Sequence, residues 1–334
     1  MSGWREGALS GKAVGVEIRA HAIRARKPFG GEMLRELCEV FASFAVTLLT
    51  AKNTNSRDDP EYRFWKSARC NSHSAANTRP HIIKAMPEHK PTADERLQRE
   101  FNRWAAEGEG AKMERHHLDI TEKTLRLMDL RPGERVLDLG CGSGWATRLL
   151  ARLVSDGPEG FGQVVGVDVS DEMIRQARSA SKDFDNILYV WGSAHQIPWE
   201  ENFFDKVLSV ESFYYYPDQE RALAELFRVM APRGRMFILI NLYADNPYSL
   251  QWVDKLKVPV HIRSEAQYVE LLKKHAFENV EARRIPDDTP TPDDYQTKSF
   301  NSLEDLRAFK RIGALLLMAS KPEVRNPAPG YTIY

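Results

Sequence analysis

The segment Val136-Leu137-Asp138-Leu139-Gly140-Cys141-Gly142-Ser143-Gly144-Trp145 constrains this chain more than any other. A short apolar run ends in an acidic residue and then in three alternating glycines. Glycine has no Cβ and tolerates positive φ, so such a backbone can turn sharply and a ligand can press against it. The residues that follow, Trp145 to Leu153, space their apolar side chains as a helix does. Strand, glycine turn and helix N-terminus together make a cradle for a nucleotide or nucleoside. The dinucleotide fingerprint G-x-G-x-x-G needs its third glycine at position 145, where this chain has tryptophan. A bulky indole there argues against a pyrophosphate on the helix N-terminus.

Beyond the turn, strand and helix patterns alternate. Strands are expected at 135–140, 163–169, 187–191, 206–211 and 235–241, then near Val280–Ile285 and Ala314–Ser320. Such alternation implies a parallel sheet with helices on both faces. Gln163 to Ser170 is a second buried strand ending in an acid, Asp168, which can accept both hydroxyls of a ribose. A helix is expected from Ala222 to Arg235 and another from Ser264 to His275. Tyr243 to Arg263, with Pro, Asn and aromatics lacking any period, is expected to form a lid, and Pro286 to Pro292 a loop. Upstream, Leu97, Phe101 and Trp104, then Leu118, Leu125 and Met128, mark a helical cap over residues 86–130, stopped by Arg131-Pro132-Gly133.

The spacing D-x-G-x-G-x-G at 138–144 resembles motif I of the class I S-adenosylmethionine-dependent methyltransferases, and three further segments agree. Asp168 and the turn Asp171-Glu172-Met173-Ile174 correspond to the family's ribose and adenine contacts. Trp191-Gly192-Ser193-Ala194-His195-Gln196-Ile197-Pro198-Trp199, followed by Phe203-Phe204-Asp205-Lys206-Val207, looks like "G-D-A-x-x-L-P-F…F-D-x-V". Ser193 stands where the family usually has an acid. Arg228-Val229-Met230-Ala231-Pro232-Arg233-Gly234 resembles the "L-x-P-G-G" link before the fifth strand, with Arg233 replacing a glycine.

The resemblance implies a Rossmann-like, seven-stranded, mostly parallel α/β sheet over 131–322, with helices on both faces and an antiparallel last strand. It implies S-adenosyl-L-methionine as cofactor, held by Asp138, Gly140, Cys141, Gly142 and Gly144 of the turn. Asp168, Val169 and Met173 follow the second strand, Ser193 and Ala194 the third, and Glu211 the fourth. Asp138 would sit near the cofactor's ammonium end and Glu211 near its methionine part. The seven-strand core with a short cap and one lid looks like the type-11 methyltransferase group, which commonly acts on small metabolites.

Methyl transfer from a sulfonium is an in-line displacement, so the protein's main task is to align nucleophile and methyl carbon away from water. Three residues are candidates for the chemistry. Tyr215, in the run Glu211-Ser212-Phe213-Tyr214-Tyr215-Tyr216-Pro217, would wall the acceptor, or else pack in the core. His117, preferred over His116, would act as a base or bind the cofactor's carboxylate, or else lie on a helix face. His261 belongs to the lid. His195 is expected to be structural. No H-x-x-x-H or C-x-x-C spacing occurs, so no metal is expected. A cofactor-binding scaffold or regulatory subunit without turnover is the rival function, and an oxidoreductase a poorer third.

Composition sets outer bounds. Lys and Arg total 47 and Asp and Glu total 47, so no net charge points to nucleic acid. The 3 cysteines cannot build a disulfide framework, which favours a reducing cytoplasmic setting and counts against thiol-dependent arsenic methylation. Cys141 reads as a small apolar filler. No apolar run reaches the ~18–20 residues that span a bilayer, so no membrane partner is expected. Residues 1–85 differ from the rest: basic, rich in Ser, Asn and Arg, with one amphipathic stretch from Glu32 to Ala51 and a polar run from Asn53 to Pro80. A regulatory extension, a targeting leader and upstream sequence read from too early a start codon compete there. The last is favoured because Met86 precedes domain-like sequence. Residues 323–334 form a tail.

Overall fold

The computed structural model describes residues 90–155, 162–296 and 299–323. The expectations for the N-terminal 85 residues and most of the tail lie outside these. Two helices open the described chain, α1 (Ala93–Ala106) and α2 (Glu109–Met128), within the stretch expected as a helical cap. Gly108, in the left-handed region at φ 73°, separates them. Leu118 of α2 was expected to pack inward and is instead exposed at 36%.

The strands then follow as β1 (Arg135–Leu139), β2 (Gln163–Asp168), β3 (Ile187–Trp191), β4 (Phe204–Val210) and β5 (Met230–Ile240). Between them run α3 (Trp145–Val154), α4 (Asp171–Ala180) and α5 (Gln219–Val229); beyond β5 come α6 (Glu265–Lys274), β6 (Glu278–Ile285), α7 (Leu303–Ile312) and β7 (Ala314–Ser320). The sheet order is β3-β2-β1-β4-β5-β7-β6, with parallel pairing from β3 to β5. β7 is antiparallel to both β5 and β6, so the seven-stranded, mostly parallel sheet is the one expected.

Alternating side chains divide the core into two layers. Leu137, Leu139, Val165, Val167, Ile238 and Ile240 face α5 and α6. Val136, Val164, Leu208, Phe237 and Leu239 face α2 and α3. Because both faces are covered, the central strands read as near-continuous apolar runs. Helix starts are set by short polar caps: Ser170 accepts from the Met173 N–H, Asp218 from Arg221, Ser264 from Gln267 and Ser302 from Asp305.

Two elements differ from expectation. The helix expected to reach Arg235 stops at Val229, and Met230 already pairs with Phe204 in the sheet. Pro232 has no N–H to donate, and Arg233 adopts φ 64°, so the helix cannot continue. Arg233 thus sits in a left-handed position where glycine costs least. The second is α7, which the sequence reading left without structure.

The chain leaves β1 toward β2 and β3 on one side of the sheet, and places β4 and β5 on the other. The resulting crevice lies beyond the C-terminal ends of β1 and β4, where open α/β sheets bind ligands.

Candidate functional site

A cavity of about 860 Å³ fills that crevice. Such a volume lies toward the upper end of the ~300–1,000 Å³ usual for ligand sites. Gly140, Cys141 and Gly142 line it; Gly144 does not. At Gly142, φ is 52° and a Cβ would meet nothing within 4 Å, so bare backbone borders open space. At Gly144, φ is 77° and a Cβ would lie 2.2 Å from the Tyr189 hydroxyl. That glycine serves the packing of a buried tyrosine rather than the approach of a ligand. Cys141 is buried, its thiol pushed up by burial and by Asp168, as suits a filler and not a nucleophile.

The two strand-end acids have separate fates. Asp138, expected beside the cofactor, is 1% exposed and absent from the cavity wall; its Oδ2 accepts from the Thr147 hydroxyl at 2.6 Å. It ties β1 to α3 beneath the turn, and burial raises its pKa to about 7. Asp168 does line the cavity. Its Oδ2 accepts from the Gly142 N–H and its Oδ1 from the Ser170 N–H, each at 2.8 Å. Burial raises its pKa to about 6 despite those two bonds. Each oxygen keeps a further lone pair, enough for the two hydroxyls of a ribose. Val169 and Met173 border the same end.

Past β3, Ser193 and Ala194 reach the wall, joined by Asp94 from α1. The Ser193 hydroxyl donates to Asp94 Oδ2 at 2.6 Å, and His195 Nδ1 lies 3.0 Å from Asp94 Oδ1. The Asp218 N–H donates to His195 Nε2 at 3.2 Å, so Nδ1 carries the ring proton and donates to Asp94. His195, itself on the cavity wall, thereby holds Asp94 in place.

At the end of β4, Glu211 adopts φ 54°, a costly conformation for a residue with a Cβ. Its Oε2 accepts from the Tyr214 hydroxyl at 3.0 Å and its Oε1 from the Asn241 N–H at 2.5 Å. Burial lifts its pKa to about 7. Asn241 Nδ2 in turn lies 3.3 Å from Nδ1 of His117, a buried residue of α2 on the cavity wall. Burial lowers the His117 pKa to about 4, so the ring is neutral at physiological pH. An Nδ1 that accepts from Asn241 would leave the ring proton on Nε2, as a hydrogen-bond donor. Tyr215 lines the cavity, its ring edge-on to Phe101 at 5.0 Å and to Trp104 at 6.3 Å. His261 does not reach the cavity. It contributes backbone only, its N–H donating to the Tyr214 carbonyl at 2.7 Å and its carbonyl accepting from Gln219 at 2.9 Å. The imidazole itself is exposed.

The sequence reading missed several parts of the wall. Phe309 comes from the unforeseen α7, and Asp287 and Thr289 from the loop after β6. Trp252, in the segment 248–253 whose sequence suggests an apolar or aromatic ligand or else a packing helix, is also on the wall; its ring meets Phe300 at 5.6 Å and Phe309 at 5.1 Å.

The charges at the cradle end discriminate between ligands. Asp94, Asp168 and Glu211 line it, and the turn, the loops after β2 and β3 and the segment after β4 bring no Lys or Arg, while Arg115, Lys255 and Lys310 reach the same cavity from α2, the segment after β5 and α7. The three carboxylates beside the turn suit a cationic nucleoside. The open space beside Gly142 and the carboxylate at Asp168 therefore fit S-adenosylmethionine. Among the described residues no group of three His, Cys, Asp or Glu side chains could hold a metal, and no helix is long and apolar enough to cross a membrane. Replacing Asp168 by Ala is expected to lose ~1–3 kcal/mol of S-adenosylhomocysteine affinity in calorimetry, through unpaired ribose hydroxyls and the lost tether on Gly142.

The family model described as a methyltransferase domain matches residues 137–238. The chain is 37% identical over 127 residues to the ubiquinone/menaquinone biosynthesis C-methyltransferase UbiE of Legionella pneumophila, covering 37% of this chain and 49% of that protein. It is 38% identical over 112 residues to an uncharacterized 37.1 kDa protein in transposon TN4556 of Streptomyces fradiae, covering 34% of this chain and 31% of that one. The chain thus spans less than half the length of these relatives. A solved complex extends the likeness. In it, the chain described as a methyltransferase, bound to the Haloferax volcanii Trm112 methyltransferase activator, superposes with a TM-score of 0.61 at 30% identity, over 67% of this chain and 98% of that one. With a carboxylate-lined cradle, a shared sheet and a likeness that runs the length of that structure, the chain belongs to the class I S-adenosylmethionine-dependent methyltransferases.

Proposed function

We propose that this protein transfers the methyl group of S-adenosylmethionine to a small, largely apolar acceptor that carries a ring. The observation that carries this reading is one cavity whose wall includes both the carboxylates of the cradle and two aromatic clusters, Phe101–Trp104–Tyr215 and Trp252–Phe300–Phe309. Aromatic side chains bind flat apolar groups by area and by edge-to-face contact. The ring acceptors implied by the name of the UbiE relatives agree with it.

When bound, the cofactor supplies an electrophilic methyl group on a sulfonium. The residues of this chain hold, shield and neutralise. Gly140, Cys141 and Gly142 offer backbone to the methionyl part, Asp168 takes the ribose, and Val169, Met173 and Ala194 pack the base. Glu211, when ionised, offsets the cationic end of the cofactor; Asp138 acts from below by fixing the turn to α3. His117 presents a neutral N–H. Tyr215, locked between α1 and Tyr214, presses the acceptor toward the methyl carbon and keeps water out. Such positioning supplies ~7–11 kcal/mol of barrier reduction in favourable cases.

The experiment is transfer of isotope-labelled methyl to a panel of phenols, quinols and other ring compounds, set beside hydrophilic amines and carboxylates. Labelled ring products are expected. In the same assay Tyr215→Ala should lower acceptor kcat/KM by about 10- to 100-fold while cofactor affinity stays near that of the native protein. Tight cofactor binding without transfer to any acceptor would favour a non-catalytic scaffold. Equal losses of affinity and turnover in Tyr215→Ala would make that ring part of the core.

A further inference from the structure

The nucleobase end of the cavity is finished by a residue that lies far from it in sequence. Resting on the cofactor reading above, we infer that Asp94, on the first turn of α1, is the acceptor for the exocyclic amine of the adenine, and that it confers the preference for an adenosyl over an inosyl ligand.

The direction of the ligand follows from the sheet. Asp168 ends β2, and the methionyl part lies toward Gly142 and Glu211, at the ends of β1 and β4. The base must then extend the other way, toward β3 and the loop Gly192-Ser193-Ala194. That loop carries no acid: Ser193 offers only a hydroxyl, and the hydroxyl is spent on Asp94 Oδ2 at 2.6 Å. Asp94 lines the cavity at this point. It is held there from two sides, by Ser193 and by His195 Nδ1 at 3.0 Å.

Asp94 is not engaged in capping its own helix. Thr92 accepts from the Glu95 N–H and Glu95 accepts from the Thr92 N–H, a complete capping box. The carboxylate leaves the helix for the β3 loop instead. Its hydrogen bond with His195 holds its pKa below the usual carboxylate range, so it is an acceptor only. Its contacts with Ser193 and His195 leave lone-pair capacity for one more N–H. An amine at the purine 6-position donates to such a group, whereas the carbonyl of hypoxanthine would face it oxygen to oxygen.

Helix α1 is rigid enough to place this group. Asp171 Oδ1 accepts from Gln98 Nε2 and from Asn102 Nδ2, each at 2.9 Å. The Ser170 hydroxyl donates to Asn102 Oδ1 at 2.6 Å, and Gln176 Nε2 donates to the Ala105 carbonyl at 2.9 Å. These bonds fasten α1 to α4, the helix that begins directly after the ribose acid.

The test is calorimetric titration of the full chain with S-adenosylhomocysteine and with S-inosylhomocysteine. The native protein should prefer the adenosyl compound by about 10- to 100-fold, the range expected when a polar site meets a ligand that cannot pair with it. Asp94→Ala should bring the ratio to near one, and Asp94→Asn should lower it while keeping the shape of the side chain. Adding Ser193→Asp to Asp94→Ala should restore the preference, because it returns an acid to the same spot from the loop. A thermal melt of each variant shows whether α1 stays docked. If the native protein binds both compounds equally well, or if Asp94→Ala keeps the native ratio, the assignment of Asp94 is overturned and the cofactor reading stands. If the native protein binds neither compound, the cofactor reading falls and takes the assignment with it.

Discussion

Gly142→Val should abolish useful cofactor binding, whereas Gly144→Ala should leave the cradle intact and weaken the fold. The two positions look equivalent in sequence and adopt similar positive φ values, 52° and 77°. At 142 the added side chain projects into space that no protein atom occupies within 4 Å, on the wall of the cavity. Crowding of a ligand there costs ~1–3 kcal/mol or more, roughly 5- to 150-fold in affinity. Strain of a β-branched residue at positive φ adds a stability cost of ~1–3 kcal/mol. At 144 the added methyl meets the Tyr189 hydroxyl at 2.2 Å and its ring carbons at 2.7 Å and 2.9 Å. Tyr189 is 3% exposed and bonds Ser181 Oγ at 2.9 Å, so it cannot move aside cheaply. Gly144→Ala should therefore lose ~2–4 kcal/mol of stability from overpacking and backbone strain. Calorimetric binding and denaturant melts of both variants check this. Native affinity in a folded Gly142→Val protein would show that nothing binds against the turn.

The second large effect is a dependence on pH that differs in sign with and without the cofactor. Asp168 and Glu211 have pKa values raised to about 6 and about 7 by burial, from 3.8 and 4.5. In the free protein the folded state therefore holds protons that the unfolded chain has released. Stability should fall as pH rises from the ordinary carboxylate range near 4 through about 7, by up to ~1.4 kcal/mol per pH unit for each group in its window. A cationic cofactor reverses this, because its sulfonium and ammonium favour the ionised carboxylates. The melting-temperature increase produced by saturating S-adenosylmethionine should grow from pH 5 to pH 8. A constant increase across that range would mean that neither carboxylate faces the cation.

Much of the sheet was legible in the sequence because central parallel strands, buried on both faces, must be apolar at every position. Val164–Val167 shows this, as does Val136–Leu139 apart from Asp138, and their ends fell within a residue or two. The end of α5 was misplaced because Leu226, Val229 and Met230 continue a helical pattern into the strand; Pro232 was the signal against it. Helix α7 was also readable. Ser302 before Glu304 and Asp305, Leu306, Phe309 and Ile312 at helical spacing, and Gly313 at the stop make an ordinary capped helix.

Site residues were harder to assign for a physical reason. Asp138 and Asp168 both end apolar strands, but side chains alternate. Asp138 shares the face of Val136, toward α3, and so meets Thr147. Asp168 is the last residue of its strand and turns to the cavity. His261 lay in the right segment, but the segment docks through its main chain. Asp94 was beyond sequence reasoning, since 99 positions separate it from Ser193 and only tertiary packing brings them together.

Where the wall comes from has a consequence for how such enzymes diverge. The segment that matches the family model, 137–238, contributes the turn, Asp168 and Tyr215, but Phe101, Trp104, Trp252 and Phe309 all lie outside it. On the function proposed above, two proteins alike in that segment would still reject each other's acceptors, because these aromatic side chains come from the segments that flank it. On that reading, exchanging the segment around Trp252 or α7 between relatives is a direct route to new acceptor preferences, whereas exchanging α1 would also move Asp94 from the nucleobase end.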